Sequence, residues 1–560
     1  MEAAPLYNTL TSCGSSVLNF IESHPLTGAG LAAAESFASH PYAVGVQRLL
    51  LAYVVYVVVA QVVALVFSSS AREAAVGVLI RKFRALPGVA GAVAAEQEKV
   101  LADIEEQVRE SAGPDIAALE VFTQLPERGL SAKAVSSILD VCRNAQTMYD
   151  GRKAFGGIYH DSTGKVSKAT MEAYKTFVYT NALYPTLFPV ARKCEAEVVA
   201  MSVAMMNGGP DACGTMTSGG TESLVMAVKA YREHALKTRG ITAPEMVIPI
   251  TAHPALNKGA HLLGVKLVTI PVGDDMRADL DAFAAALNGN TIMAVGSAPG
   301  YPHGTIDPIS EMAAIASARG IPFHVDSCLG GYLLPFLKRA GRLTRDFDFE
   351  VEGVTSISAD LHKYGCAHKG ASVILYADPE VRRCQYFQAT SWPGGLYCSP
   401  SFSGSRAGGV IAAAWAAMVS MGMDGYMDAA NACQDVLEAL VEGINAIPGL
   451  YVISDPDAAI VAFASSEFSI HQLADEMTTR GWDLTRLIKP DCVHWAIGGR
   501  QFDLVKPMLD DLAECADIVR AHPERASEGM AGVYGMAGTL PDRTVVDEIL
   551  SGYMDVILKP

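Results

Sequence analysis

Lys363 stands in Ser358-Ala359-Asp360-Leu361-His362-Lys363-Tyr364-Gly365, directly after an apolar run of strand character. Thirty-seven positions earlier, Phe323-His324-Val325-Asp326-Ser327-Cys328-Leu329-Gly330-Gly331 closes another such run with a carboxylate followed by small residues. Further upstream, Met216-Thr217-Ser218-Gly219-Gly220-Thr221-Glu222-Ser223 leads into a helical pattern with Leu224, Val225, Val228 and Tyr231 on one side. Glycines and hydroxyls at a helix start can cradle a phosphate through backbone N–H groups and the helix dipole. No Gly-Lys-Ser/Thr follows, so a nucleotide P-loop is a poor match. Taken singly, each part has an ordinary reading: a solvated lysine, a helix cap, a histidine satisfied in a loop.

As an ordered set, the cradle, His253 in Thr251-Ala252-His253-Pro254, Asp326 and Lys363 are what pyridoxal phosphate requires. A lysine forms the Schiff base, a carboxylate keeps the pyridine nitrogen protonated so that the ring accepts electrons, and the cradle fixes the phosphate. His253 would stack on the ring.

These residues must be positioned by a scaffold, and the hydropathy pattern predicts one. Apolar runs at Met246–Ile250, Lys266–Val272, Thr291–Val295, Ile321–Val325, Val354–Ser358 and Ala371–Tyr376 alternate with helical stretches. This is the pattern of an α/β fold with a mostly parallel sheet, whose ligands sit at the carboxyl ends of the strands. Beyond Met423 a helix (Ala429–Ile447), strands at Tyr451–Ser454, Ile460–Ala464 and Val493–Ile497, and a helix at His471–Arg480 predict a smaller α+β domain.

The 560 residues allow several domains, and a formal net charge of -17, from 43 Lys and Arg against 60 Asp and Glu, argues against a nucleic-acid surface. Eleven cysteines without a CxxC pair suggest neither a zinc ribbon nor a disulfide scaffold. Between Arg48 and Arg72 lie 23 residues without a charge, long enough to span a bilayer as a helix. Arg72, Arg81, Lys82 and Arg84 follow this run, whereas the 47 residues before Arg48 hold no Lys or Arg, which predicts a cytosolic body. The expected organisation is a lumenal segment over 1–47, a transmembrane helix over 48–70, a juxtamembrane and helical segment over 71–190, a cofactor-binding large domain over 191–422 and a small domain over 423–560. Pro87-Gly88 marks a break, and Val89–Leu119 reads as a helical connector.

From about Gly151 onward the chain resembles the sphingosine-1-phosphate lyase family, fold-type-I pyridoxal-phosphate enzymes of transferase-like fold. The resemblance rests on Gly219–Ser223, His324–Gly331, Ser358–Gly365 and Ser399–Gly409, together with the single anchor. It implies that Lys363 carries the cofactor, Asp326 pairs with its ring nitrogen, His253 stacks, and Gly220, Thr221 and His362 hold its phosphate. It implies too that Gly404 and Ser405 reach the cofactor of a neighbouring subunit, hence a homodimer with active sites at the interface. Tyr159, His303 and Lys369 become candidates for proton transfer and substrate phosphate, and Asn181 and Tyr184 fall where the family has Asn-x-x-His-Pro. Other departures are Ser327 for Ala, Leu361 for Thr, Cys366 for Tyr and His368 for Pro. The activity implied is cleavage of a phosphorylated long-chain base to a fatty aldehyde and phosphoethanolamine at the endoplasmic reticulum membrane. An amino-acid decarboxylase shares the cofactor residues, and a tethered pseudoenzyme scaffold is a third class. The anchor favours the lyase, since a chain of about sixteen carbons partitions into bilayer by ~0.8 kcal/mol per CH₂.

Overall fold

The computed structural model describes residues 86–111, 113–145, 164–498, 502–527 and 544–559. The predicted anchor at 48–70, the segment before it and Tyr159 lie outside them. The chain divides into two compact units, one of 1–130 with 539–560, the other of 131–538.

In the first unit, helix Pro87–Ser111 starts on a proline, whose missing N–H costs nothing at a first helical position. It packs on helix Thr544–Ile557, where Gly552 lets Leu101 approach: a Cβ there would lie 2.6 Å from Leu101 Cδ1. Gln97 Nε2 donates to Glu548 Oε2 (2.6 Å), and Lys559 pairs with Glu105 at 2.6 Å. The connector expected over Val89–Leu119 is thus this helix followed by a short turn of helix, Gly113–Ala117.

The second unit is built on a seven-stranded sheet: β1 (Cys213–Thr217), β2 (Glu245–Pro249), β3 (Lys266–Ile270), β4 (Thr291–Ser297), β5 (Phe323–Asp326), β6 (Val354–Ala359) and β7 (Ser372–Tyr376). Their order is β1-β7-β6-β5-β4-β2-β3, parallel throughout from β6 to β3, with β7 antiparallel to both its neighbours. Every residue of β4, β5 and β7 is buried, as expected of strands covered on both faces. Alternation divides them between two cores: Val247, Ala294, Val373 and Leu375 join one, Met246, Ile248, Met293, Val295 and Ile374 the other. Helices Gly220–Arg239 and Ala255–Leu263 cover the second core. Helices Pro189–Met205 and Gly408–Ala446 help to cover the first.

A short hairpin, β8 (Phe387–Ala389) with β9 (Tyr397–Ser399), precedes the long helix. That helix bends at Gly422, whose φ of 61° is left-handed and favours glycine. Among the described residues it alone is long and apolar enough to cross a membrane, but Ile411–Ala414, Leu437 and Leu440 are buried in the protein core. The small sheet, β10 (Leu450–Val452), β11 (Ile460–Ser465), β12 (Thr485–Leu487) and β13 (Cys492–Ala496), runs antiparallel in the order β10-β11-β13-β12. Trp482 and Trp495 meet edge to face at 5.6 Å in its core.

Candidate active site

The parallel strands deliver their chemistry to one edge of the large sheet. β5 ends in Asp326, β6 runs into Asp360, His362 and Lys363, and β1 feeds the Ser218-Gly219-Gly220-Thr221 turn that opens helix Gly220–Arg239. A chain of hydroxyls locks that turn to the strands: Thr217 Oγ1 to Ser223 Oγ (2.6 Å), Ser223 Oγ to Ser372 Oγ (2.8 Å), and Ser372 Oγ to the carbonyl of Ala359 (3.1 Å). Buried Glu222 closes it from within, accepting from Ser218 N at 2.6 Å and from Phe402 N at 3.1 Å.

Lys363 Nζ lies 3.0 Å from Asp360 Oδ2, and His362 Nε2 lies 3.5 Å from the same oxygen. His362 Nδ1 accepts from Ala371 N (3.2 Å), so the ring proton is on the nitrogen that faces Asp360. Burial would raise the Asp360 carboxyl, but the Lys363 ammonium and His362 outweigh it and hold it at about 2. The glycines above are dictated by space: a Cβ on Gly220 would stand 2.8 Å from Asp360 Oδ2 and 2.8 Å from Cys328 Sγ, and one on Gly219 would stand 3.2 Å from His362 Cε1.

Asp326 is buried, and its Oδ1 accepts from Cys328 N (3.1 Å) and Ser358 Oγ (3.3 Å). Behind it His324 spans Ser356 Oγ (2.8 Å) and Ser358 Oγ (3.3 Å), and burial pushes its pKa down to about 4, so the ring is neutral. Burial, then the charges of Asp326 and Asp360, push the Cys328 thiol up, which keeps it protonated between the two carboxylates. Half-buried His253 accepts from Ala255 N at 3.1 Å and so is fixed at the start of its helix. An ordered glycine turn that a methyl group would fill, a buried strand-end carboxylate and a lysine beside them fit the phosphate, ring nitrogen and aldehyde of pyridoxal phosphate.

His303 lies in the loop after β4, which is tied to this edge by Ala298 N to the carbonyl of Asp326 (2.8 Å) and Ser327 Oγ to the carbonyl of Ala298 (2.8 Å). Burial and the neighbouring His494 push its pKa down to about 4, and no hydrogen-bond partner is placed on its Nδ1 among the described residues. His494 in β13 meets the carbonyl of Pro302 at 2.9 Å and the ring of Tyr301 at 4.9 Å. Lys369 Nζ reaches the carbonyl of His362 at 3.4 Å, and burial, then the Lys363 charge, lower its pKa.

Asn181 spends its amide on the Ser399–Gly409 loop: Nδ2 donates to Ser405 Oγ (2.9 Å), and Oδ1 accepts from Arg406 N (3.1 Å) and Leu183 N (3.0 Å). Glu195 adds a second clamp, pairing with Arg406 at 2.5 Å while accepting from Met216 N at 3.2 Å. Gly404 lies under Tyr397, whose hydroxyl would be 2.8 Å from a Cβ there. Tyr184 is 54% exposed and takes no part in this clamp. Thr221 and Ser405 are exposed. Asp360, Glu222 and Glu195 are thus site-building residues that the sequence reading did not single out. For Asp360 the signal was present, a carboxylate three residues before Lys363 in a strand-end loop.

Known proteins match both the sequence and the fold. The pyridoxal-dependent decarboxylase conserved domain matches residues 175–466. The sphingosine-1-phosphate lyase of Oryza sativa subsp. japonica is 42% identical, over 84% of this chain and 87% of its own. Sphingosine-1-phosphate lyase 1 of Rattus norvegicus is 42% identical over 77% of this chain and 76% of its own. Among solved structures, the sphingosine-1-phosphate lyase of Burkholderia pseudomallei K96243 superposes with a TM-score of 0.70 at 38% identity, covering 76% of this chain and 99% of that one. A glutamate decarboxylase of Lactobacillus brevis, 19% identical with a TM-score of 0.63, shares the fold over 74% of this chain and 99% of its own.

Proposed function

This chain belongs to the sphingosine-1-phosphate lyase family, and on that premise we propose that Lys363, Asp326 and the Gly219 to Thr221 turn hold pyridoxal phosphate against a phosphorylated long-chain base. The protein is a pyridoxal-phosphate-dependent carbon–carbon lyase that cleaves sphingosine 1-phosphate, yielding a fatty aldehyde and phosphoethanolamine. The observation that carries the assignment is the meeting of Lys363, Asp326 and the glycine turn at one sheet edge in a chain with these relatives.

Bound pyridoxal phosphate supplies an electron sink for the bond broken between C2 and C3 of the substrate. Lys363 would hold the cofactor covalently through its Nζ and would release it to the substrate amine. Asp326, fixed through Oδ1 by Cys328 N and Ser358, holds the proton on the ring nitrogen. His253 would stack on the ring, and Gly220, Thr221 and His362 would bind the phosphate. The hydroxyl ladder from Thr217 to Ser372 keeps that cradle from shifting against the lysine. His303 and Tyr159 serve the proton taken from the 3-hydroxyl; burial keeps the His303 ring neutral, so that it has a nitrogen free of its proton to accept one. Lys369, Asn181 and Tyr184 meet the substrate phosphate, while Asn181 also presents Ser405 and the loop of Gly404 to the cofactor of a second copy in a homodimer.

The run at 48–70 anchors the chain in the endoplasmic reticulum membrane, with 1–47 lumenal and the juxtamembrane segment (71–190), large domain (191–422) and small domain (423–560) cytosolic. Its support is the charge asymmetry of the flanks.

The test is to supply the detergent-solubilised full chain with pyridoxal phosphate and sphingosine 1-phosphate, and to quantify long-chain aldehyde and phosphoethanolamine together by mass spectrometry. Equal amounts of both are expected. Carbon dioxide from glutamate or an aromatic amino acid, with neither lyase product, would instead establish a decarboxylase. Absence of any lysine-bound cofactor absorbance would leave a scaffold.

A further inference from the structure

None of the roles above uses Asp360, which is 2% exposed at the centre of the site. Its Oδ2 faces Lys363 Nζ at 3.0 Å and His362 Nε2 at 3.5 Å, and Gly220 sits so close above it that no side chain fits between. A carboxylate is buried this completely only with a partner. Here the partner is the nitrogen that must react. The lysine and the cofactor aldehyde condense as follows: the nitrogen–carbon double bond forms, the carbon–oxygen bond breaks, and two of the three ammonium protons leave with that oxygen as water. The nitrogen is cationic before and after, but it must give up a proton to attack the aldehyde and take one back once the double bond is made. A carboxylate beside it therefore faces a cation before and after the bond forms, and in both states resists the loss of a proton from that nitrogen.

Resting on the assignment of Lys363 as the cofactor lysine, we propose that Asp360 is a positioning residue: the counter-charge that holds the Lys363 nitrogen in place and sets the pH at which it gives up its proton, whether free or bonded to the cofactor. The other titratable groups around the pair are His362 and Lys369 on the same loop, and Cys328, Asp326 and Tyr332 from the end of β5 and the turn after it. Lys369 favours deprotonation of Lys363, and Asp360 opposes it.

The experiment compares the full chain with Asp360→Asn and Asp360→Glu. Each protein is freed of cofactor and mixed with pyridoxal phosphate over a range of pH, and the growth of lysine-bound absorbance is followed. The loaded proteins are then titrated for the protonated, visible-absorbing form. Removing a contacting opposite charge shifts a pKa by about 1 to 3 units. Both midpoints should fall by at least about one unit in Asp360→Asn, making capture near neutral pH about tenfold faster. Asp360→Glu should stay close to the unaltered protein, a difference that a purely structural role would not produce. If Asp360→Asn does not fold, Asp360→Ser reads the same shift with water in the vacated space. Unchanged midpoints in a folded, uncharged variant would overturn the inference and leave the lyase assignment standing. An unaltered protein that bonds no cofactor at Lys363 would overturn both.

Discussion

At the scale of residues, the site is a problem of holding charges where water is scarce. Asp326 and Asp360 lie on either side of Cys328, and each is tied differently: Asp326 by a backbone N–H and a serine, Asp360 by the lysine. That division suits the roles proposed above: Asp326 is kept for a ring nitrogen, and Asp360 already has a cation on its own loop. Lys363→Ala should bind pyridoxal phosphate without a covalent link and abolish turnover; aldehyde release by that variant in the coupled product assay would sink the assignment. Gly220→Ala drives a methyl group against Asp360 Oδ2 and Cys328 Sγ. Overpacking of this kind costs about 1–3 kcal/mol, and since the carboxylate cannot retreat without leaving Lys363, the expected result is weaker cofactor retention on dialysis, with a melting temperature lowered only modestly.

At the scale of elements, the loops after the strands are held by ion pairs and clamps from far along the chain. Arg277 donates to the carbonyl of Ile306 (3.0 Å) and to Asp457 Oδ2 (2.8 Å), which also accepts from Ile306 N (2.7 Å), and Arg345 reaches Asp457 Oδ1 at 3.1 Å. This network joins the loop that carries His303 to the segment before β11. Asp457→Ala leaves the buried Arg277 guanidinium with only Asp275, 3.6 Å away, as counter-charge, a loss that approaches the ~3–5 kcal/mol of a broken buried pair. Denaturant unfolding should show that loss, and Asp457→Asn, which keeps an acceptor for Ile306 N, should recover part of it. The six strands expected from hydropathy in the large sheet are all present, each within two residues at its start, because each is a short apolar run with sharp edges. β1 was not expected: Cys213–Thr217 is short and weakly apolar, and it becomes a strand by pairing with β7. The reversed direction of β7 is likewise absent from any local pattern, since alternation marks the faces of a strand and not the direction in which it runs.

At the scale of the whole molecule, acid is the informative perturbant. His303, His324 and His494 are each lowered to about 4 by burial, with the neighbouring histidine adding to the effect at His303. A histidine whose folded pKa is depressed lends its full stability above the unfolded value of about 6.5, and that stability drains away as pH falls toward about 4. At pH 5 the loss is about 2 kcal/mol for each ring. Asp307, raised to about 6 by burial, takes up a proton in the folded state over the same window and offsets part of this. The unfolding midpoint in urea should therefore fall between pH 7 and pH 5, and His324→Gln, which cannot titrate, should flatten the fall. A midpoint independent of pH in that range would show that the rings titrate in the folded protein as they do in the unfolded chain.

The sequence by itself determined the cofactor chemistry, six of the seven strands of the large sheet and the edge at which the lysine and the strand-end aspartate collect. Those features are local: a strand, its last residue and the turn that follows are contiguous, and the parallel sheet rule carries them to one side. Tertiary structure alone decided the partners. That Asp360 faces Lys363, that Glu222 and Glu195 clamp the loop near Gly404, and that Asn181 is bonded to Ser405, 224 positions away, depend on which segments pack together. A buried charge finds its partner through space, and the distance along the chain carries no record of it.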